Sequence, residues 1–140
     1  MVIGIDYSIN SPGLCILNEE GVHFGTLART NIAKPEFFEL LQSFDVHVDP
    51  HPKYSAISNS TLDAQGFTKD SAEQAFRLSE LCKTINSGKG DPEKNTAIFE
   101  GFSFGSKGNR LAQLSGYQYA ARIDLMHSGI SCYENLEVNK

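Results

Sequence analysis

The chain has 140 residues, 40% hydrophobic and 21% charged, which is enough apolar material for one core and too little length for a second full domain. Its 12 basic and 17 acidic residues leave a net charge of −5, which argues against a nucleic-acid binder held by bulk positive charge but not against a nuclease whose acids hold metal. A charge arrives as early as Asp6, no basic stretch precedes it, and no run of about 18 apolar residues occurs, so neither a signal peptide nor a membrane span is expected, and a cytoplasmic protein, bacterial or in a phage-infected cell, is.

Val2-Ile3-Gly4-Ile5 and Leu14-Cys15-Ile16-Leu17 are short β-branched or apolar runs separated by Asn10-Ser11-Pro12-Gly13, and Val22 to Leu27 follows the polar turn Asn18-Glu19-Glu20-Gly21. Three antiparallel strands are expected. Residues 31–69 are punctuated by Pro35, Pro50 and Pro52 and read as an irregular insertion, with Pro35 to Phe44 its one short helix. Asp70 and Glu73 have the spacing of a capping box, and Ala72, Ala75, Phe76, Ser79, Cys82 and Ile85 continue at helical intervals until the Ser87-Gly88-Lys89-Gly90 loop. Thr96 to Phe99 reads as a buried strand ending at Glu100. The glycine-rich loop Gly101 to Gly108 follows, then a helix capped by Asn109 and stopped at Ser128-Gly129, then a last apolar patch from Ile130 to Val138. The order predicts an α/β domain with a mixed sheet and flanking helices. Cys15, Cys82 and Cys132 are too scattered for a disulfide framework or zinc site and are expected as packing residues.

Asp6 and Glu100 each end an apolar strand. If those strands are neighbours the two carboxylates meet, and two adjacent acids need a proton or cation between them; oxygen-only ligation suits Mg²⁺ or Mn²⁺. The plainer alternative is that each acid ends its strand at the solvent. The loop after Glu100 supplies Ser106, Lys107 and Arg110, and with Arg122 the stretch from Gly101 to Arg122 carries a local charge of +3 without an acid. Such a loop entering a helix suits phosphate, although polar surface loops are common. Phe102 and Phe104 either stack on bases or pack inward. Tyr7 and Ser8 would line the same mouth as Asp6, contacting a nucleic-acid backbone or packing in the turn. His23, His47, His51 and His127 lack metal-ligand spacing, and no serine or cysteine nucleophile has a partner.

The first segment, Met1 to Ser8 followed by Ser11-Pro12-Gly13-Leu14-Cys15-Ile16, resembles the first catalytic strand and turn of the Holliday-junction resolvases of the RuvC type, particularly their phage-encoded relatives. Ala97 to Gly108, with the helix from Arg110 to Gly116, resembles that family's second acidic strand, loop and helix. The resemblance covers about a third of the chain and implies an RNase H-like fold and a metal-dependent endonuclease cleaving phosphodiesters of branched DNA. It further implies Asp6 and Glu100 as catalytic metal ligands for Mg²⁺ or Mn²⁺, residues 7–8 and the loop after Glu100 on DNA, and a homodimer. No nucleotide cofactor is expected. The family carries two further acids on a helix beyond the last strand, where this sequence reaches Val138-Asn139-Lys140. A single domain over residues 1–140, C-terminally incomplete, is therefore expected, with Glu134 and Glu137 as weak stand-ins. A non-catalytic DNA- or partner-binding domain of the same fold is the alternative. An actin-like ATPase fragment is disfavoured, since Tyr7-Ser8-Ile9 stands where that family has Gly-Thr.

Overall fold

A computed structural model of the chain describes residues 1–53, 66–86, 95–100 and 108–135. Its strands are β1 (Val2–Asp6), β2 (Gly13–Asn18), β3 (Gly21–Arg29), β4 (His47–His51), β5 (Thr96–Glu100) and β6 (Ser131–Asn135), in one sheet of order β4-β3-β2-β1-β5-β6. Three helices accompany them: α1 (Pro35–Ser43), α2 (Phe67–Asn86) and α3 (Gly108–His127). The first three strands form the expected antiparallel meander. Its second turn closes because Asn18 Oδ1 accepts the Glu20 N–H at 2.9 Å and Gly21 adopts a φ of 120° that a side chain would resist. β5 lies parallel to β1, and β6 lies parallel to β5 after the crossover through α3 that a parallel pair requires. The architecture is a six-stranded mixed sheet with flanking helices, as expected.

The strand period of two divides the sheet into unlike faces. Ile3, Ile5, Leu14, Ile16, Ala97 and Phe99 point to one face and are buried beneath α2 and α3, which also pack on each other. Close approach of α2 to β3 depends on Gly25, where an added Cβ would stand 2.9 Å from Ile85 Cδ1. Val2, Leu17, Val22, Phe24, Ile98 and Tyr133 occupy the alternate positions and are exposed. Among the described residues no helix is long and apolar enough to cross a membrane.

Four local expectations change. The segment 31–69 contains a sixth strand, β4, which pairs parallel with β3 from Gly25↔His47 to Arg29↔His51. As an edge strand it tolerates Pro50, whose missing N–H costs nothing on the unpaired side. Asp70 is not a cap: α2 starts at Phe67, the Asp70 N–H donates to the Gly66 carbonyl at 3.0 Å, and the side chain is buried. Likewise α3 starts one residue before Asn109, at Gly108. Cys15 is exposed rather than packed, because alternation along β2 turns it away from the face covered by α2 and α3; Cys82 is buried and Cys132 half-buried.

Candidate metal and nucleic-acid site

The β1–β5 register runs from Val2↔Thr96 to Ile5↔Phe99, so Asp6 and Glu100 are the next residues on two adjacent parallel strands. Residues in register share a face, and both acids lie on the open one, exposed at the C-terminal edge of their strands. Ile5 and Phe99, one step earlier on each strand, are buried on the opposite face and anchor the two strand ends.

The segment between β1 and β2 is fixed along its length. Ser8 Oγ accepts the Ser11 N–H at 3.0 Å, and Thr26 Oγ1 donates to the Pro12 carbonyl at 3.0 Å. Tyr7, expected at the mouth beside Asp6, instead points to the helix-covered face, because consecutive strand residues alternate. It is 8% exposed, its hydroxyl donates to Gln74 Oε1, and burial pushes its pKa well above the ordinary tyrosine value. Sequence reasoning missed the polar cluster it joins. Arg29 makes a bidentate pair with Asp70, each N–O distance 2.9 Å, and donates through Nη2 to the Ile9 carbonyl at 3.0 Å. Tyr117 Oη donates to Asp70 Oδ2 at 2.5 Å. On the β5 side, Gln118 Nε2 donates to the Glu100 carbonyl at 3.2 Å.

Other candidates are placed less favourably. Glu134 is in register with Phe99 and so faces the helices, away from Asp6 and Glu100; its Oε2 lies 3.5 Å from Arg122 Nη2. Arg122 itself is stacked over the rings of Phe99 and Tyr119, at 5.1 and 4.9 Å to their centroids, which removes its charge from the open face. Phe102, Phe104, Ser106, Lys107 and Glu137 lie outside the described residues, as does the side chain of Arg110, whose backbone stands in the first turn of α3.

Two carboxylates at neighbouring strand ends fit a hard divalent cation, whose remaining positions water fills. Among the described residues no group of three or more His, Cys, Asp or Glu side chains could hold a metal ion.

No protein-family model and no curated protein sequence matches the chain. Among solved structures it is similar to Thermus thermophilus RuvC in complex with a Holliday junction substrate, at 12% identity and a TM-score of 0.48 over 96% of this chain and 64% of that one. It is also similar to a second T. thermophilus RuvC structure, at 12% identity and a TM-score of 0.46 over 95% and 63%. The chain thus spans less than two thirds of the RuvC chains it matches.

Proposed function

We propose that this protein is a metal-dependent endonuclease acting on phosphodiesters of branched DNA, in the manner of a Holliday-junction resolvase. The observation that carries the reading is the pairing of Asp6 and Glu100 at the ends of adjacent parallel strands, on one exposed face. Asp6 and Glu100 would hold Mg²⁺ or Mn²⁺, which supplies Lewis-acid polarisation of the phosphate and an activated water. The two carboxylates set the place on the sheet edge where the scissile phosphate is received. Ser8, in the turn beside Asp6, and Ser106, Lys107 and Arg110, which follow Glu100 in the chain, are assigned to the DNA backbone, with Phe102 and Phe104 to its bases. Tyr7 takes no part in that contact; its hydroxyl is committed to Gln74. Residues 1–140 are assigned to one domain, in which the segment 31–69 supplies α1 and the edge strand β4, and a dimer would present two such sites for paired cuts.

Incubation of a four-way junction with the full chain and Mg²⁺, beside the Asp6→Asn variant, tests the reading. Cleavage by the wild type that falls to background in Asp6→Asn is expected. Equal cleavage in both, or none in either, overturns it.

The lack of a third ligand among the described residues favours one second reading, a DNA-binding domain of the same fold without turnover. It predicts salt-sensitive junction binding with no product, and failure to bind at low salt removes it.

A further inference from the structure

Glutamine is seldom buried, because each side-chain amide atom withdrawn from water must find a partner or cost free energy. Among the described residues two are buried on the helices beneath the sheet: Gln74 on α2, 0% exposed, and Gln118 on α3, 2% exposed. Each donates its amide to the backbone at one of the strand ends that carry the carboxylates. Gln74 Nε2 reaches the Ile9 carbonyl, three residues past Asp6, at 2.6 Å, while its Oε1 accepts the Tyr7 hydroxyl. Gln118 Nε2 reaches the carbonyl of Glu100 itself, at 3.2 Å. Packing alone does not explain Gln118, whose Oε1 is buried with no hydrogen-bond partner among the described residues, so an apolar side chain of the same size would avoid that cost.

We propose that Gln74 and Gln118 are positioning residues that fix the Asp6 and Glu100 strand ends from beneath, setting the spacing of the two carboxylates on the opposite face. The idea rests on the metal reading above for its consequence, but not for its geometry. Both glutamines are held in place by a shared support. Arg29 also donates to the Ile9 carbonyl, the same acceptor as Gln74, and is locked by Asp70. Tyr117, the residue before Gln118, donates to Asp70 from α3. The two glutamines therefore stand on helices tied to each other by the Tyr117–Asp70 hydrogen bond, and Asp70 in turn pairs with Arg29 of β3, so that the strand ends are referenced to a common frame rather than set separately. Ligand positions in metal sites are governed by such outer contacts, whose loss weakens the metal about tenfold or more.

The test uses Gln74→Met and Gln118→Met in the full chain, changes close in volume that delete only the polar contacts. Two readouts are taken on each: amide hydrogen exchange without metal, and Mn²⁺ affinity by the paramagnetic resonance signal of free Mn²⁺, without DNA. Gln74→Met is expected to speed exchange about five- to tenfold in the segment 6–10, and Gln118→Met to do so at the end of β5, with Ile3 and Ile16 unchanged in both. Each is expected to weaken Mn²⁺ about tenfold. Exchange that is unaltered, or that rises evenly across the sheet, overturns the positioning role whatever the metal does. Local exchange changes with Mn²⁺ affinity equal to wild type overturn it as well, since the carboxylates then do not feel the strand ends. A wild-type chain that binds no Mn²⁺ while exchange responds locally overturns the metal reading instead, and with it the purpose proposed for the glutamines.

Discussion

The two faces of the sheet are made from the same strands and obey different constraints. Phe99 and Ile98 are consecutive on β5, yet Phe99 is fully buried beneath the helices while Ile98 is 40% exposed on the other side. On β1 the same step separates buried Ile5 from exposed Asp6. The face beneath α2 and α3 carries the hydrophobic core, and around Asp6 and Glu100 the other face is relieved of that task, so carboxylates can stand there side by side without a core to disrupt. The polar cluster around Asp70 links the two, since it lies on the covered side and reaches the strand ends that carry the acids.

The comparison is broken most directly by truncating each side in turn. Phe99→Ala removes a fully buried ring that also supports Arg122, and is expected to cost about 3–5 kcal/mol. Ile98→Ala, one residue away, is expected to cost about 1 kcal/mol or less. Urea unfolding of both variants measures the gap. Similar losses at the two positions would mean that the open face is covered in solution, and would remove the contrast between the faces.

A smaller effect is expected where the covered face is tightest. The Cβ of Gly25→Ala would come within 2.9 Å of Ile85 Cδ1 and 3.4 Å of both Leu81 Cδ2 and the His47 carbonyl. The two side-chain ends can yield, but the β4 carbonyl is backbone. A loss of about 1–3 kcal/mol, seen as a lower urea midpoint at unchanged slope, is the expected result. A neutral substitution would show that α2 rides over β3 more loosely than the structure has it.

Much of this arrangement was legible from residue order, and the exceptions share a cause. Asp6 and Glu100 could be picked out because each closes an apolar run, a local signal, and the parallel β1–β5 pairing then brings them together. The meander, α2, α3 and β5 were equally local, resting on turns and periodicity. β4 was hidden because His-Val-Asp-Pro-His lacks strand propensity and is held by its partner β3. Asp70 had the spacing of a cap, and nothing nearby in sequence betrays its buried partner Arg29, 41 residues away. Tyr7 was assigned to the wrong face because a residue next to a candidate ligand in sequence lies, on a strand, on the side opposite to it. Gln118 falls at the helical spacing of Leu114, Ala121 and Leu125, but the role of neither Gln74 nor Gln118 could be read, since the carbonyls they meet exist as targets only once the helices are laid across the sheet.

The smallest effect expected concerns His51, at the end of β4 and 1% exposed. Its Nδ1 lies 3.3 Å from the Asp49 carbonyl, and Nε2 is buried without a hydrogen-bond partner among the described residues. Burial lowers its pKa below the ordinary histidine value of 6.5; the Asp49 backbone contact and the Asp49 charge oppose the shift, while the Arg29 and Arg77 charges reinforce it. The unfolded chain therefore takes up this proton first as pH falls. Where the unfolded state binds more protons, stability rises with pH, so the contribution of neutral His51 is whole above about pH 6.5 and is lost as pH drops towards the folded value. Between pH 7 and pH 5 the Tm of the wild type is expected to fall by roughly 2–4 °C more than that of His51→Gln, which has no proton to gain. Parallel Tm curves for the two proteins would show that the end of β4 opens to water before the proton arrives, and that the covered face stops short of the sheet's edge.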